Sequence, residues 1–473
     1  MLFPPWDLRW LAPLTLSPLL VAVAREPSWK RRAFLGLAGG FVYWLGVCHW
    51  IEWVLEHHGS MSSPLGWLAE ILLCLIKGSI WAVFAALAGP LMRRAYAVPA
   101  VAALWTGLER LNGPQGFAWL ILGNAGIDMS VPLRMAPVTG AYGLSFVFAM
   151  MGSAIASVIL RQPRTHLAPL GLLPLLYLLP AIPESPAPEA QAVAVQPNVP
   201  QSQPLDLRRT AELMQRMAAS SLESALDPSL PRAELLLWPE SPAPFYFEAD
   251  PVFRSEAQRL ARAAGIHFLF GTVATSIAGQ PLNSAQMLLP SGEPVSRYDK
   301  MFLVPFGEFV PPLFGWVNRI TQEGGDFEPG ASVVTAPVGR HRVGAFICYE
   351  SAFPHLVRQF ARQGGQVLIN LTNDGYFGRS AARRQHLLLA RMRAVENRRW
   401  LLRPTNDGYT VSIDPSGRIR QTIEPFRFGV GRLPFAWISE QTLYTRWGDW
   451  FAWSCLGLAL GACVVGSRPS RTS

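Results

Sequence analysis

Arg342-Val-Gly-Ala-Phe-Ile-Cys348-Tyr349-Glu350-Ser351-Ala-Phe-Pro354 is the stretch that decides how this chain is read. Val343 to Ile347 is an apolar run of strand character that stops at a cysteine followed by polar residues. The pattern predicts a buried strand that presents a side chain at its carboxyl end, just before a turn into a helix. Open α/β architectures place reacting groups at such ends. Cys348 is the only cysteine between Ala181 and Trp453, so no disulfide partner exists for it within that region.

Outward from this stretch the composition changes twice. The 473 residues are 50% hydrophobic and only 15% charged, and they include 17 Trp. The apolarity is concentrated in residues 8–183 and 447–466, and the section between them has ordinary globular composition. That section spans roughly 260 residues, enough for one large core. The expected organisation is therefore a membrane bundle over 1–183, a soluble domain over 184–446, and a last span with a short tail over 447–473. Apolar runs near 8–24, 33–54, 64–92, 95–110, 131–160, 166–183 and 447–466 give about seven spans, each judged against the ~20 residues a bilayer requires. Arg25 with Lys30-Arg31-Arg32, Arg93-Arg94, Arg161 with Arg164, and Arg468 with Arg471 each follow an odd-numbered span. Basic loops mark the cytoplasmic side, so 184–446 is expected outside the inner membrane, on the periplasmic face. The net charge of +9 sits largely in these clusters, which is membrane topology and not a nucleic-acid stripe. Residues 111–130 are too apolar for a free loop and are expected to re-enter the membrane surface on the outer side. Met1 to Trp10 lacks the basic start of a cleavable signal peptide.

Inside the globular section, Pro180 to Glu189 reads as a stiff linker. Strands are expected at 192–196, 234–240, 267–272, 283–289, 294–298, 333–337, 342–347, 366–371 and 401–405. Helices are expected at 210–226, 255–264, 353–363 and 381–399. Alternation of strands and helices, followed by paired strands, implies a mixed sheet in a layered α/β domain.

Three of these strand ends carry an acid, an amine and a thiol: Glu240, Lys300 and Cys348. A free thiol is only a few per cent thiolate at neutral pH, so a carboxylate that takes its proton and a lysine that stabilises the resulting anions suit acyl transfer through a thioester. No His lies near these segments in sequence, which lowers a Cys-His protease reading. A lone cysteine after a strand is more often plain core. In an oxidising compartment, though, an unpaired thiol is a liability unless it is buried or used. His57-His58 has no third ligand nearby and reads as solvent-facing, not as a metal site. Arg383, Arg384, Arg391, Arg393, Arg398 and Arg399 either bind lipid phosphate or make ion pairs on their helix.

Longer segments are more specific. Leu237-Trp-Pro-Glu240-Ser, Tyr298-Asp-Lys300-Met-Phe-Leu-Val-Pro-Phe-Gly-Glu308-Phe-Val-Pro311 and Ile347-Cys348-Tyr349-Glu350 resemble the Glu-Lys-Cys set of the nitrilase superfamily. The spans and the Lys300-to-Glu308 segment are similar to its membrane-embedded branch, the apolipoprotein N-acyltransferase family. Further matches are Gly116-Phe-Ala-Trp119, Thr139-Gly-Ala-Tyr-Gly-Leu-Ser145, Gln196-Pro-Asn-Val-Pro-Gln201, Asn373-Asp374, Phe377-Gly378, Gln385-His386, Arg391 through Asn397, and Arg403-Pro-Thr-Asn406.

The resemblance implies an αββα sandwich domain carried by a polytopic helical bundle. It implies that Cys348 takes an acyl chain from a phospholipid as a thioester, which the α-amino group of the N-terminal cysteine of a diacylated apolipoprotein then receives. By the same matching Glu240 is the general base, Lys300 stabilises the oxyanion, and Glu308, Tyr349 and Glu350 support the site. It implies no metal, no diffusible cofactor and a monomer. The family has eight spans, and Phe3-Pro-Pro stands where its second begins. Leu205 stands where a tryptophan is frequent, Gly375-Tyr376 where Ala-Trp is, and Ala118 where proline is; these positions touch lipid handling. A membrane-tethered amidase with the same three residues and a non-catalytic lipoprotein-binding paralogue are the alternatives.

Overall fold

The computed structural model describes residues 1–59, 61–113, 117–183, 185–200, 206–240, 245–309 and 327–467. The chain forms two compact units: Met1–Trp53 with Ser62–Pro183 and Arg446–Ser473, and Val54–Met61 with Glu184–Thr445.

The first unit is helical. Its longest element, Ser63–Leu91, has 29 residues, and Ala141–Ile159 has 19. Among the described residues these two helices are long and apolar enough to cross a membrane, and Trp29–Cys48 joins them if it counts with Trp50–His58, into which it bends by 55°. Other expected spans take different forms. The first is a 3-10 turn, Arg9–Leu14, followed by a nine-residue helix, Ser17–Arg25. The sixth is a 15-residue 3-10 helix, Arg164–Leu178, with Pro169 and Pro174 inside it, where each proline removes an α-helical hydrogen-bond donor. Residues 117–120 and 122–127 are buried: Trp50, Phe117 and Trp119 cluster with centroids 5.3–6.0 Å apart, and a 3-10 helix, Leu122–Asp128, follows. Small residues set the packing. A Cβ on Gly36 would lie 2.3 Å from the Trp81 carbonyl oxygen, and one on Gly107 2.7 Å from Leu456 Cα, so only glycine allows these backbones to approach so closely.

The second unit carries twelve described strands: β1 Ala190–Gln196, β2 Leu235–Leu237, β3 His267–Thr275, β4 Pro281–Leu288, β5 Pro294–Asp299, β6 Thr335–Val338, β7 His341–Ile347, β8 Val367–Leu371, β9 Leu401–Arg403, β10 Thr410–Ile413, β11 Ile419–Ile423 and β12 Gly429–Phe435. They form two six-stranded sheets, ordered β12-β1-β2-β3-β4-β5 and β11-β10-β9-β8-β7-β6. Each sheet has three parallel strands (β1-β2-β3 and β7-β8-β9) flanked by antiparallel ones. Parallel neighbours need crossover connections. Helices Leu207–Ala225 and Pro251–Ala264 serve the first sheet, and Pro354–Arg362 and Ala382–Asn397 the second. The two sheets approach one another where β4 nears β7 and β12 nears β9 and β10, giving the αββα sandwich that the resemblance implies.

Local chemistry explains the elements. Asp250 caps Pro251–Ala264 through the Val252 and Phe253 amides, and Gly265 ends it at φ +64°. The apolar face of that helix, with Phe253, Leu260 and Ala261, packs on Val193, Leu236, Phe268 and Phe270 of the first sheet. Gly344 lets the helix Pro354–Arg362 lie on β7, since a Cβ there would sit 2.6 Å from Phe360 Cβ. The two sheets match the αββα sandwich that the resemblance implies, whereas β10 to β12 have no counterpart among the expected strands. β2 is only three residues long, because Pro239 cannot continue the ladder.

Candidate active site

The chain ends four of its strands on polar groups. After β2 the chain bends through Pro239 to Glu240; after β5 comes Lys300; after β7 comes Cys348; after β8 come Asn373 and Asp374. Lys300 is clamped by its own backbone, its N–H donating to the Asn283 carbonyl on β4 (2.8 Å) and its carbonyl accepting from Gly330 N–H (2.8 Å). Its ammonium is 1% exposed and donates to Glu308 Oε1 at 2.8 Å and Glu240 Oε1 at 3.3 Å. Asn283 Nδ2 bridges the same two carboxylates, at 2.6 Å to Glu308 and 2.9 Å to Glu240. Glu240 Oε2 accepts the Asn373 amide at 2.8 Å, and Glu308 Oε2 accepts the Val304 amide at 2.8 Å.

Cys348 is buried at the first position of a 3-10 helix, Cys348–Ala352, with φ +49°. Burial pushes its thiol well above the ordinary range, and the Glu240 carboxylate pushes it further, while Lys300 and the Asn373 amide pull it back. Burial works against the Lys300 ammonium, but Glu308, then Glu240, then Cys348 hold its pKa well above the usual lysine value. The acid, the amine and the thiol expected from three distant segments therefore share one buried cluster, and Glu308 joins it.

Glu350 lies behind the nucleophile. Its Oε2 accepts the Ile347 amide (2.7 Å), and its Oε1 accepts the Tyr298 hydroxyl (2.6 Å) and the Met301 and Phe302 amides (2.8 and 3.3 Å). It ties the cysteine turn to the residues just after Lys300. Burial raises its carboxyl to about 7, against the pull of the Ile347 amide and the Tyr298 hydroxyl. Tyr349 is buried in the same turn, its ring edge-on to Phe353 at 5.1 Å.

Three residues without an expected role form a second buried cluster. Asp374 Oδ1 is 3.0 Å from His386 Nδ1 and 2.9 Å from Arg403 Nη2, and His386 Nε2 is 2.9 Å from the Cys348 carbonyl oxygen. Burial opposes the Asp374 charge, yet Arg403 and His386 hold its carboxyl far below the usual carboxylate range. The sequence held a signal for them, a His and an Arg matching the family segments, but no cue that they meet.

Other expectations resolve in the second unit. His57 is exposed, while His58 is half-buried with its ring edge-on to Tyr376 at 5.2 Å. Of the six arginines weighed for lipid phosphate, four are occupied elsewhere. Arg383 pairs with Asp407 at 2.7 Å, Arg393 with Glu396 at 2.8 Å, and Arg391 and Arg399 donate to the Gly417 and Gly365 carbonyls. Ser241, Leu205 and Pro311 lie outside the described residues.

Residues 192–429 match the carbon-nitrogen hydrolase family model, and residues 1–154 match that of the apolipoprotein N-acyltransferase N-terminal domain. Among curated relatives, the apolipoprotein N-acyltransferase of Geobacter metallireducens is 34% identical, covering 99% of this chain and 92% of that protein. The corresponding protein of Azotobacter vinelandii is 30% identical over 99% of this chain and 93% of its own. A solved amidase from Nesterenkonia sp. aligns with 55% of this chain and 95% of its own at 21% identity and a TM-score of 0.39. With the globular section matched by one model, the helical section by the other, and full-length relatives at this identity, the chain belongs to the apolipoprotein N-acyltransferase family.

Proposed function

We propose that this protein moves an acyl chain from a membrane phospholipid to the α-amino group of the N-terminal S-diacylglyceryl-cysteine of apolipoproteins. Its relatives in the apolipoprotein N-acyltransferase family supply the reaction class. The observation that carries it to particular residues is the buried cluster in which Lys300 bridges Glu240 and Glu308 while Glu240 and Lys300 both act on the Cys348 thiol.

In this reading Glu240 takes the thiol proton as Cys348 Sγ bonds to the ester carbonyl carbon. Lys300 stabilises the oxyanion of the tetrahedral adduct. The carbon–oxygen bond then breaks, Glu240 returns the proton to the leaving lysophospholipid oxygen, and a thioester remains. The acceptor amine attacks that thioester, Glu240 takes the amine's proton, and the sulfur leaves and regains a proton. Glu308 and Glu350 hold Lys300 and the cysteine turn in place, and Tyr349 packs that turn. One copy of the chain supplies every one of these groups.

The same reading covers topology: residues 1–183 and 447–473 in the inner membrane with about seven crossings, and 184–446 on the periplasmic face. The non-α segments are long enough to contribute. At about 2.0 Å rise per residue a 15-residue 3-10 helix such as Arg164–Leu178 extends about 30 Å, the thickness of the hydrocarbon core.

The test is loading with a phospholipid that carries a radiolabelled acyl chain. The wild type gains a hydroxylamine-labile acyl group and passes it to a diacylated lipopeptide; a C348S variant that loads normally removes the mechanism. A protein that releases free fatty acid and never acylates the lipopeptide is a hydrolase. For topology, Glu223→Cys places a thiol at an exposed position, and failure of an impermeant external reagent to reach it overturns the orientation.

A further inference from the structure

Cys348 sits in a backbone conformation that suits glycine. Its φ of +49° is left-handed, which costs an L-residue roughly 1–2 kcal/mol, and cysteine is there because the site requires a thiol. Something must hold that turn. The Cys348 carbonyl oxygen faces two donors: His386 Nε2 at 2.9 Å, from the helix Ala382–Asn397, and Asn370 Nδ2 at 3.3 Å, from β8.

The hydrogen-bond partners fix the state of the ring. A carbonyl oxygen only accepts, so Nε2 carries a proton. Nδ1 lies 3.0 Å from Arg403 Nη2, which only donates, and 3.0 Å from Asp374 Oδ1, which only accepts. A neutral ring accepts from Arg403; a charged ring donates to Asp374. In both states Nε2–H points at the nucleophile's carbonyl. Arg403 Nη2 reaches both Asp374 oxygens (2.9 and 3.1 Å), its Nη1 donates to the Tyr409 carbonyl at 3.1 Å, and Asp374, His386 and Arg403 are fully buried. Gly408 keeps the space closed, since a Cβ there would lie 2.1 Å from Asp374 Oδ2. The residue before Asp374 is Asn373, whose amide holds Glu240. The cluster thus braces the nucleophile on one side and the base on the other.

We propose that His386, oriented by Asp374 and Arg403, is a positioning residue that clamps the Cys348 carbonyl and so holds the left-handed turn that aims Sγ at Glu240 and Lys300. The proposal rests on the acyl-transfer reading for its consequence in turnover, but not for its effect on the thiol.

The experiment compares His386→Gln, which keeps a donor, with His386→Met, which has similar bulk and none, in the full chain in detergent. Two rates are read: acyl loading from radiolabelled phospholipid, and iodoacetamide alkylation located at Cys348 by peptide mass spectrometry. Small misplacements at a reacting centre cost up to about 100-fold. H386M is expected to lose about tenfold or more in loading kcat and in Cys348 alkylation, with KM held, and H386Q to recover most of both. A loss in H386M under about tenfold, or an H386Q no better than H386M, overturns the clamp. If H386M does not fold, histidine ¹⁵N spectra of the wild type, assigned by difference from H386Q, decide it: a proton on Nε2 supports the clamp and a bare Nε2 overturns it. A wild type that alkylates at Cys348 yet takes no acyl group sinks the acyl-transfer reading, and the alkylation comparison then judges the clamp alone.

Discussion

Replacing Glu308 by Gln probes the charge pairing at the centre of the site. The change keeps shape and removes one charge. Glu308 uses both oxygens: Oε1 accepts from Lys300 Nζ and Asn283 Nδ2, and Oε2 accepts from the Val304 amide. Glutamine has one oxygen, so its NH₂ must face either the Val304 N–H or the Lys300 and Asn283 donors. That donor-to-donor contact alone costs about 1–3 kcal/mol. The lost charge adds to it. At 2.8 Å and an effective dielectric near 20, the gross attraction to the ammonium is about 6 kcal/mol. Breaking one partner from a buried pair is worth about 3–5 kcal/mol net. Glu240 remains at 3.3 Å, so the lower figure applies, and a stability loss of about 3 kcal/mol is expected.

The pH dependence has a definite sign. In the wild type the folded pKa of Lys300 lies well above its ordinary value, so its stabilising contribution is complete through neutral pH and is lost only as pH rises through that raised pKa. Burial opposes the charge, and Glu308 is the foremost group that overcomes it. In E308Q the pKa falls, so the alkaline limb of the loading rate moves to lower pH. The assay is single-turnover acyl loading against pH, together with denaturant midpoints of both proteins. An unmoved alkaline limb with a stability change under about 1 kcal/mol refutes the pairing argument.

Glu350→Gln tests the raised carboxyl behind the nucleophile. The folded form binds more protons than the unfolded one between 4.5 and about 7, so this group's contribution declines as pH rises through that window. The stability gap between wild type and E350Q should narrow from pH 5 to 7.5, and a constant or widening gap contradicts the assignment. Gly408→Ala drives a methyl to 2.1 Å from Asp374 Oδ2 and should cost about 3–5 kcal/mol by pushing that carboxylate off Arg403; a variant within about 1 kcal/mol of wild type in denaturant melts would show that the gap is not needed. Glu240→Gln should shift two rates in opposite directions. Loading drops by about 10²–10⁴ with the base gone, whereas iodoacetamide alkylation of Cys348 quickens because the charge that raised the thiol pKa is absent; both rates falling together would count against that division of roles.

What the sequence made legible follows the range of the interactions involved. Strands β1, β3 and β7 to β9 carry apolar runs, β4 and β5 read as a hairpin, and each lies close to its expected position. β10 and β11 are short and rich in polar residues, β12 carries two glycines, and β12 is placed by pairing with β1 more than 230 residues earlier, a contact that no local pattern reports. Glu240 and Cys348 were legible because each follows an apolar run, and Lys300 because it stands at the exit of a hairpin. The Asp374–His386–Arg403 cluster was not, because its members come from a 3-10 turn, a helix and strand β9, and no local pattern reports that these three elements meet. Apolar runs in the first unit were legible as runs, but the prolines at 169 and 174 turned one of them into a 3-10 helix and the bend at His49 broke another.

The arrangement around Lys300 also accounts for a thiol that burial keeps protonated. An isolated buried lysine would lose its proton, and Glu308 and Glu240 keep it charged. Before reaction, the ammonium faces two carboxylates and a neutral thiol. In the proposed mechanism Glu240 becomes neutral as it takes the thiol proton, and the negative charge moves to sulfur and then to the oxyanion. Throughout, Lys300 faces two negative charges: Glu308, which never changes, and one that migrates from Glu240 to the reacting atoms. The field of the site is therefore set before the ester arrives, and little solvent or side-chain rearrangement is needed as charge develops. A permanently ionised thiolate would add a third negative charge to this pocket and would be open to oxidation. A high thiol pKa is thus compatible with a nucleophile whose base sits beside it, and it limits the reactive anion to the moment when the acyl group is in place.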